Sequence, residues 1–187
     1  MVAALLSGTR VASAEPPALD GPAMTSAMHT YFEGEKDEGV VFFGAGFTAL
    51  AGGSLLYTRQ TDFARGMMYP VVTIGVLELV VGAVVHFRTD AQVAGLDHDM
   101  ATDASAYRMR ELDRIRKVNT SFKWLKWIEL GLTVGGTGVA IFAPRDQQLL
   151  KGIGVGLAVQ GVVMLTLDVL AARRAEDYTT ALEGFRF

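Results

Sequence analysis

The 187-residue chain contains no cysteine. Disulfides, thiol catalysis and thiolate metal sites are therefore excluded. Positive charge is not in excess either. A formal net charge of −3 gives no electrostatic footing for a nucleic-acid partner. The motifs that announce a reaction are also missing. There is no phosphate-binding Walker loop, no dinucleotide fingerprint, no HExxH helix, and no Ser/His/Asp or Cys/His spacing. His29 and the run Asp97-His98-Asp99 come nearest to a metal site, and a polar segment of that kind is ordinarily only solvated. The sequence thus calls for no cofactor, no metal and no catalytic residue, and it leans away from an enzyme.

The most informative lack is of charge in four particular places. Residues 39–58 carry none, and residues 66–87, 127–143 and 152–172 carry one carboxylate each, namely Glu78, Glu129 and Asp168. The charged residues, 20% of the chain, gather between these stretches instead of recurring every few positions as they do on a soluble amphipathic helix. Helical rise is about 1.5 Å per residue, so roughly 20 residues cross a hydrocarbon core of about 30 Å. The pattern predicts an all-α membrane protein with four transmembrane helices near residues 39–58, 66–87, 124–143 and 150–172. The connections between spans 1 and 2 and between spans 3 and 4 are short, which predicts two antiparallel hairpins. Trp124 and Trp127 fit an aromatic belt at one membrane face, and Tyr57 and Tyr69 the other.

The hairpins also read as a tandem repeat. Aligning Gly46 with Gly131 matches Thr48 with Thr133 and Gly53 with Gly138. One inserted residue then matches Gly66 with Gly152, Gly75 with Gly161, Arg88 with Arg174 and Leu96 with Leu182. Between spans 2 and 3 lies a polar linker, residues 88–123. In it Asp103 is an expected N-cap, and Leu112, Ile115, Val118, Phe122 and Leu125 recur at helical spacing. This predicts an amphipathic linker helix that lies on the membrane or runs into the third span.

At the N-terminus, the apolar residues 2–6 and the small-x-small run Ala12-Ser13-Ala14 predict a signal peptide over residues 1–14. Residues 15–38 form a tail containing a short amphipathic helix with Met24, Met28, Tyr31 and Phe32 on one face. Residues 39–187 hold the bundle, ending in a tail at 173–187. Twelve arginines against five lysines suggest a GC-rich bacterial source. The expected location is the bacterial inner membrane, with both termini and residues 88–123 outside.

Sixteen of the 21 glycines fall inside the four spans. Helices in lipid associate through small residues that let backbones approach. Ala45, Ala49 and Gly53 on span 1, Gly75 and Gly82 on span 2, Gly131 and Gly135 on span 3, and Gly152 and Gly156 on span 4 are the expected contact positions. Glu78 sits mid-span, flanked on its face by Gly75 and Gly82, so it should point at other helices. An ionised carboxylate at that depth costs about 2.5–3.5 kcal/mol on insertion scales. Together with His86, Glu129, Gln160 and Asp168 it outlines a polar path through the membrane. The leading functional reading is a non-enzymatic structural module whose partners are the lipid bilayer and a protein partner or a second copy. The alternative is a small transporter or channel-like module centred on Glu78.

Overall fold

A computed structural model of the chain describes residues 18–187; the expected signal peptide lies outside them. Four helices account for nearly all of it: α1 (Gly21–Arg59), α2 (Asp62–Thr102), α3 (Ala104–Phe142) and α4 (Gln148–Gly184). All four are long and apolar enough to cross a membrane. At 37–41 residues each, they run for about 55–60 Å, roughly twice the hydrocarbon core. About half of every helix must therefore stand in water, on the side of the chain's ends.

The ends of the helices are set by caps. The Asp20 and Thr61 side chains accept hydrogen bonds from the Ala23 and Ala64 backbone N–H groups, opening α1 and α2. Asp103 serves two helices at once. Its backbone N–H closes α2 on the Asp99 carbonyl at 2.9 Å, and its carboxylate opens α3 by accepting from Ala106 N–H at 2.9 Å. Gln60, at φ 51°, makes the left-handed turn that ends α1.

Of the two expectations for residues 88–123, the helix capped by Asp103 that runs into the third span is the one found. Residues 88–123 are not a separate linker. They are the far half of α2 and the near half of α3, turned on a single residue. The N-terminal amphipathic segment and the C-terminal tail are likewise continuous with α1 and α4. The physical reason is that their apolar faces meet each other. Met24, Met28, Tyr31 and Phe32 of α1 pack with Leu112 and Ile115 of α3 and with Tyr178 and Leu182 of α4, forming a buried core at the charged end of the four helices. Each large side chain so buried stabilises by about 1.5–3 kcal/mol. Tyr31 stacks on Tyr178 with centroids 4.6 Å apart, and the Tyr178 and Tyr107 hydroxyls hydrogen-bond at 2.9 Å. We call this part the headpiece. Its tip is clasped by Leu19, whose N–H and C=O bond to Gly184 and Arg186.

In the apolar halves the contacts are made by small residues. A Cβ at Gly46 would come within 3.0 Å of backbone atoms of Gly75 and Leu79, and one at Gly82 would do the same at Gly39 and Phe43. Gly75 meets Ala49, and Gly53 meets the Val72 side chain. Gly66 and Gly152 bring α2 and α4 together against Leu149 and Phe63, and Gly156 abuts Pro70. Gly131 and Gly135, expected on the α3 contact face, have nothing within 4 Å. The close approach falls instead at Gly136, against Gly154 and Ala158 of α4. Among the described residues the backbones of α1 and α3 do not approach closely, and the two helices meet through headpiece side chains, so α2 and α4 are the central pair.

Candidate functional site

The sequence-derived polar residues divide into separate places. Glu78 is buried, facing helices, beside Gln160. The Gln160 amide donates to the Val71 carbonyl at 3.4 Å, and neither Glu78 carboxyl oxygen has a hydrogen-bond partner. Both side chains line an apolar groove of about 640 Å³ between α1, α2 and α4, beside Ala45 and Ala49. His86 stands apart, half-buried, with its ring edge-on to Phe87 and its Nδ1 unpartnered.

Glu129 and Asp168 do meet. Helix α3 delivers Glu129 from one turn beyond Lys126, and α4 delivers Asp168 from two turns beyond Gly161, whose missing side chain lets α3 approach at Glu129 and Thr133. The two carboxyl groups face one another. Glu129 is fully buried, and no donor reaches either of its oxygens.

Asp168 also borders a cavity of about 220 Å³ at the junction of membrane part and headpiece. Its polar lining is Glu35, Glu38, Arg88, Arg114 and Arg174. The Arg174 guanidinium donates to the Glu38 carboxylate, and Arg88 pairs with Glu35 at 2.9 Å. Arg114 donates twice to Glu111, at 2.6 and 2.8 Å, and its guanidinium lies 5.3 Å from the Phe32 ring centre. Burial pushes Glu38 up to about 7; Arg174 pulls the other way without cancelling this, and Asp168 adds to the rise. Burial likewise pushes Tyr107 up to about 12 and Tyr178 well above its ordinary range, helped by the nearby Glu111 charge. These phenols stay protonated and serve as hydrogen-bonding groups.

The junction residues were missed as a site in the sequence. Glu35 and Glu38 belong to a run that reads as a solvated acidic collar. One signal was present. Glu35 and Glu38 are three apart on one helical face, and Arg88 and Arg174 stand just past the ends of spans 2 and 4. In the Asp97 segment both carboxylates have side-chain partners. His29 Nε2 lies 3.0 Å from the Asp97 carboxylate, and Asp99 pairs with Arg110.

Four helices that each have the length and hydropathy of a span define a multi-pass membrane protein in contact with a lipid bilayer. Comparison with protein-family models, with curated proteins and with solved structures gave no match to the chain.

Proposed function

We propose that the chain is a small proton-handling membrane module, channel- or transporter-like, working through buried carboxyl groups. The observation that carries this is Glu129, fully buried against Asp168 without a donor, below a charged cavity that begins at Asp168 and Glu38. A purely structural bundle gains nothing from this arrangement, because each buried carboxylate costs several kcal/mol of desolvation. The relay runs from Glu129 to Asp168, then to Glu38 with Arg174 as counter-charge, and out through Glu35 and Arg88. Glu78 and Gln160, on another face, are not part of it.

The test is infrared spectroscopy of the purified protein across a pH titration, with proton entry into liposomes measured in parallel. The titrating protonated-carboxyl absorption of wild type should lose one component in Glu129→Gln while that of Glu38 remains, and proton entry should fall to the level of empty liposomes. Wild type and Glu129→Gln indistinguishable in both measurements would favour the second reading. That reading, a non-enzymatic structural or partner- and lipid-binding module, is supported by the close glycine packing and by the packed headpiece core.

The architecture proposed with this function is two tandem hairpins related by a pseudo-twofold axis along the membrane normal. The contact register supports it. Gly66 lies against the residues three before and one after Gly152, and Gly152 lies against those three before and one after Gly66. Gly53 approaches Met68 and Val72 as Gly136 approaches Gly154 and Ala158, so Gly53 corresponds to Gly136, two residues from the match drawn in the sequence. Placement in a bacterial inner membrane with the headpiece outside belongs to the same proposal. An alkaline phosphatase fusion at Phe187 should be active; an inactive one reverses the orientation.

A further inference from the structure

We infer that the chain carries a specific site for an anionic phospholipid on the outer face of α3 and α4, where headpiece and membrane part meet. Three cations converge there. Lys123, Lys126 and Arg173 line one groove of about 390 Å³, together with Asn119 and Glu176. All three are exposed, and none has an ion pair or hydrogen bond among the described residues. This sets them apart from the rest of the headpiece. Lys36, Arg88, Arg110, Arg116, Lys117 and Arg174 each pair with a carboxylate. Arg114 pairs with Glu111, and Arg108 donates to the Leu182 and Glu183 carbonyls. A headpiece that engages the cations just named and leaves three unpaired in one groove has an anion as their complement.

The position of the groove selects the kind of anion. Leu165, Val169 and Ala172 form its apolar wall. One and two turns further into the membrane on the same helical faces, Leu130 and Val134 of α3 and Val162 of α4 are exposed. Trp124 and Trp127, 69% and 68% exposed, mark the headgroup level beside it. The site thus offers cations at the height of a lipid phosphate and an apolar track beneath for acyl chains, which suits a phospholipid and gives a free phosphate no use for the track.

The acceptors refine the headgroup. Asn119 Nδ2 donates to Thr179, while its Oδ1 is buried with no partner, and Glu176 lies on the groove's rim. A phosphodiester headgroup carrying hydroxyl donors, such as the glycerol of phosphatidylglycerol, satisfies the exposed Glu176 carboxylate directly and Asn119 Oδ1 once that side chain turns toward the groove. The groove shares Asp168 and Phe122 with the junction cavity, but none of the three cations lines that cavity, so removing them tests the lipid site without removing a relay residue.

The experiment is native mass spectrometry of the full chain released from mild detergent. It is titrated with phosphatidylglycerol, with phosphatidylcholine of the same chains, and with inorganic phosphate. Wild type should retain one phosphatidylglycerol in preference to phosphatidylcholine. The variant Lys123→Gln/Lys126→Gln/Arg173→Gln should bind it about a hundredfold more weakly, the sum of three near-surface cations. The loop-side variant Arg145→Gln/Lys151→Gln should bind as wild type does. Asn119→Leu should lose selectivity for phosphatidylglycerol over phosphatidic acid while keeping the preference for anionic lipid. Circular dichroism of each variant without added lipid establishes that it is folded. Equal retention of phosphatidylglycerol by wild type and a folded triple variant would overturn the site. So would equal binding of phosphatidylcholine, or displacement of the lipid by millimolar phosphate.

Discussion

Gly135 and Gly136 are adjacent on α3, and the structure gives them opposite roles. A Cβ at Gly136 would lie 2.7 Å from both the Ala158 nitrogen and the Gly154 oxygen, whereas at Gly135 nothing lies within 4 Å. Ordinary contact begins at 3.4 Å, so Gly136→Ala forces α3 and α4 apart by about 0.7 Å at their closest point. Both opposing atoms are backbone, so no side chain can turn aside to absorb the shift. Overpacking of this kind costs about 1–3 kcal/mol. Separation along the helix pair also loses dispersion contacts, which individually are only about 0.1–0.2 kcal/mol but are many. Taking about 2 kcal/mol, and about 2–4 °C per kcal/mol for a chain of this size, the unfolding midpoint should drop by about 4–8 °C. Gly135→Ala should leave it unchanged or raise it slightly, since alanine is the better helix former. Thermal unfolding in mild detergent, followed by circular dichroism, measures both. Equal destabilisation by the two variants, or an unchanged midpoint for Gly136→Ala, would refute the α3–α4 register described above.

Other consequences are open to measurement. Tyr107→Phe removes one partner of a buried hydroxyl pair 2.9 Å apart and should cost about 1–3 kcal/mol. Tyr107→Phe/Tyr178→Phe, which leaves no hydroxyl stranded, should recover part of that; a strictly additive double variant would show that the pair is not coupled. Glu38, raised from 4.5 to about 7, is protonated in the folded chain over a range where the unfolded chain has released its proton. Its contribution to stability is therefore complete below the ordinary carboxylate value and declines as pH rises through about 7. The melting midpoint of wild type minus that of Glu38→Gln should fall between pH 4.5 and 7.5, and a flat difference would argue against the burial described. A nitroxide at Asp113 should be relaxed by a water-soluble nickel chelate far more than by oxygen, and one at Val134 the reverse. Oxygen dominance at Asp113 would place that segment on the bilayer after all.

The four spans were legible because lipid excludes charge, and an uncharged run of about 20 residues is what a helix needs to cross it. The start of α3 at Asp103 was legible as an N-cap, but how far the helices run beyond the lipid was not. Hydropathy reports where the solvent changes, and nothing between Phe87 and Asp103 or between Asp103 and Trp124 breaks a helix. The amphipathic face of Leu112 and Ile115 was visible, but whether it met lipid or other helices depended on α1 and α4 being long enough to reach it. The inward face of Glu78 followed from Gly75 and Gly82 beside it. The contact position on α3 did not follow, because glycines at 131, 135, 136 and 138 offer several spacings and only the partner Gly154 selects among them. That Glu129 and Asp168 belong to one polar path was legible from the alternating helix directions. That they meet directly was not, because it depends on Gly161 admitting α3.

The uninterrupted course of α3 from Ala104 to Phe142 makes it a lever. From the middle of its span to its tip is about 29 residues, or roughly 44 Å of helix. A tilt of about 2° within the bilayer therefore displaces the tip by about 1.5 Å, comparable to the small helix shifts that switch packed interfaces between states. Because α2 turns directly into α3 on Asp103, the two rods share that tip and must move together. A change in charge at Glu129, near the start of the membrane portion, would be read out as motion at a surface about 30 Å above the lipid, without any segment having to unfold.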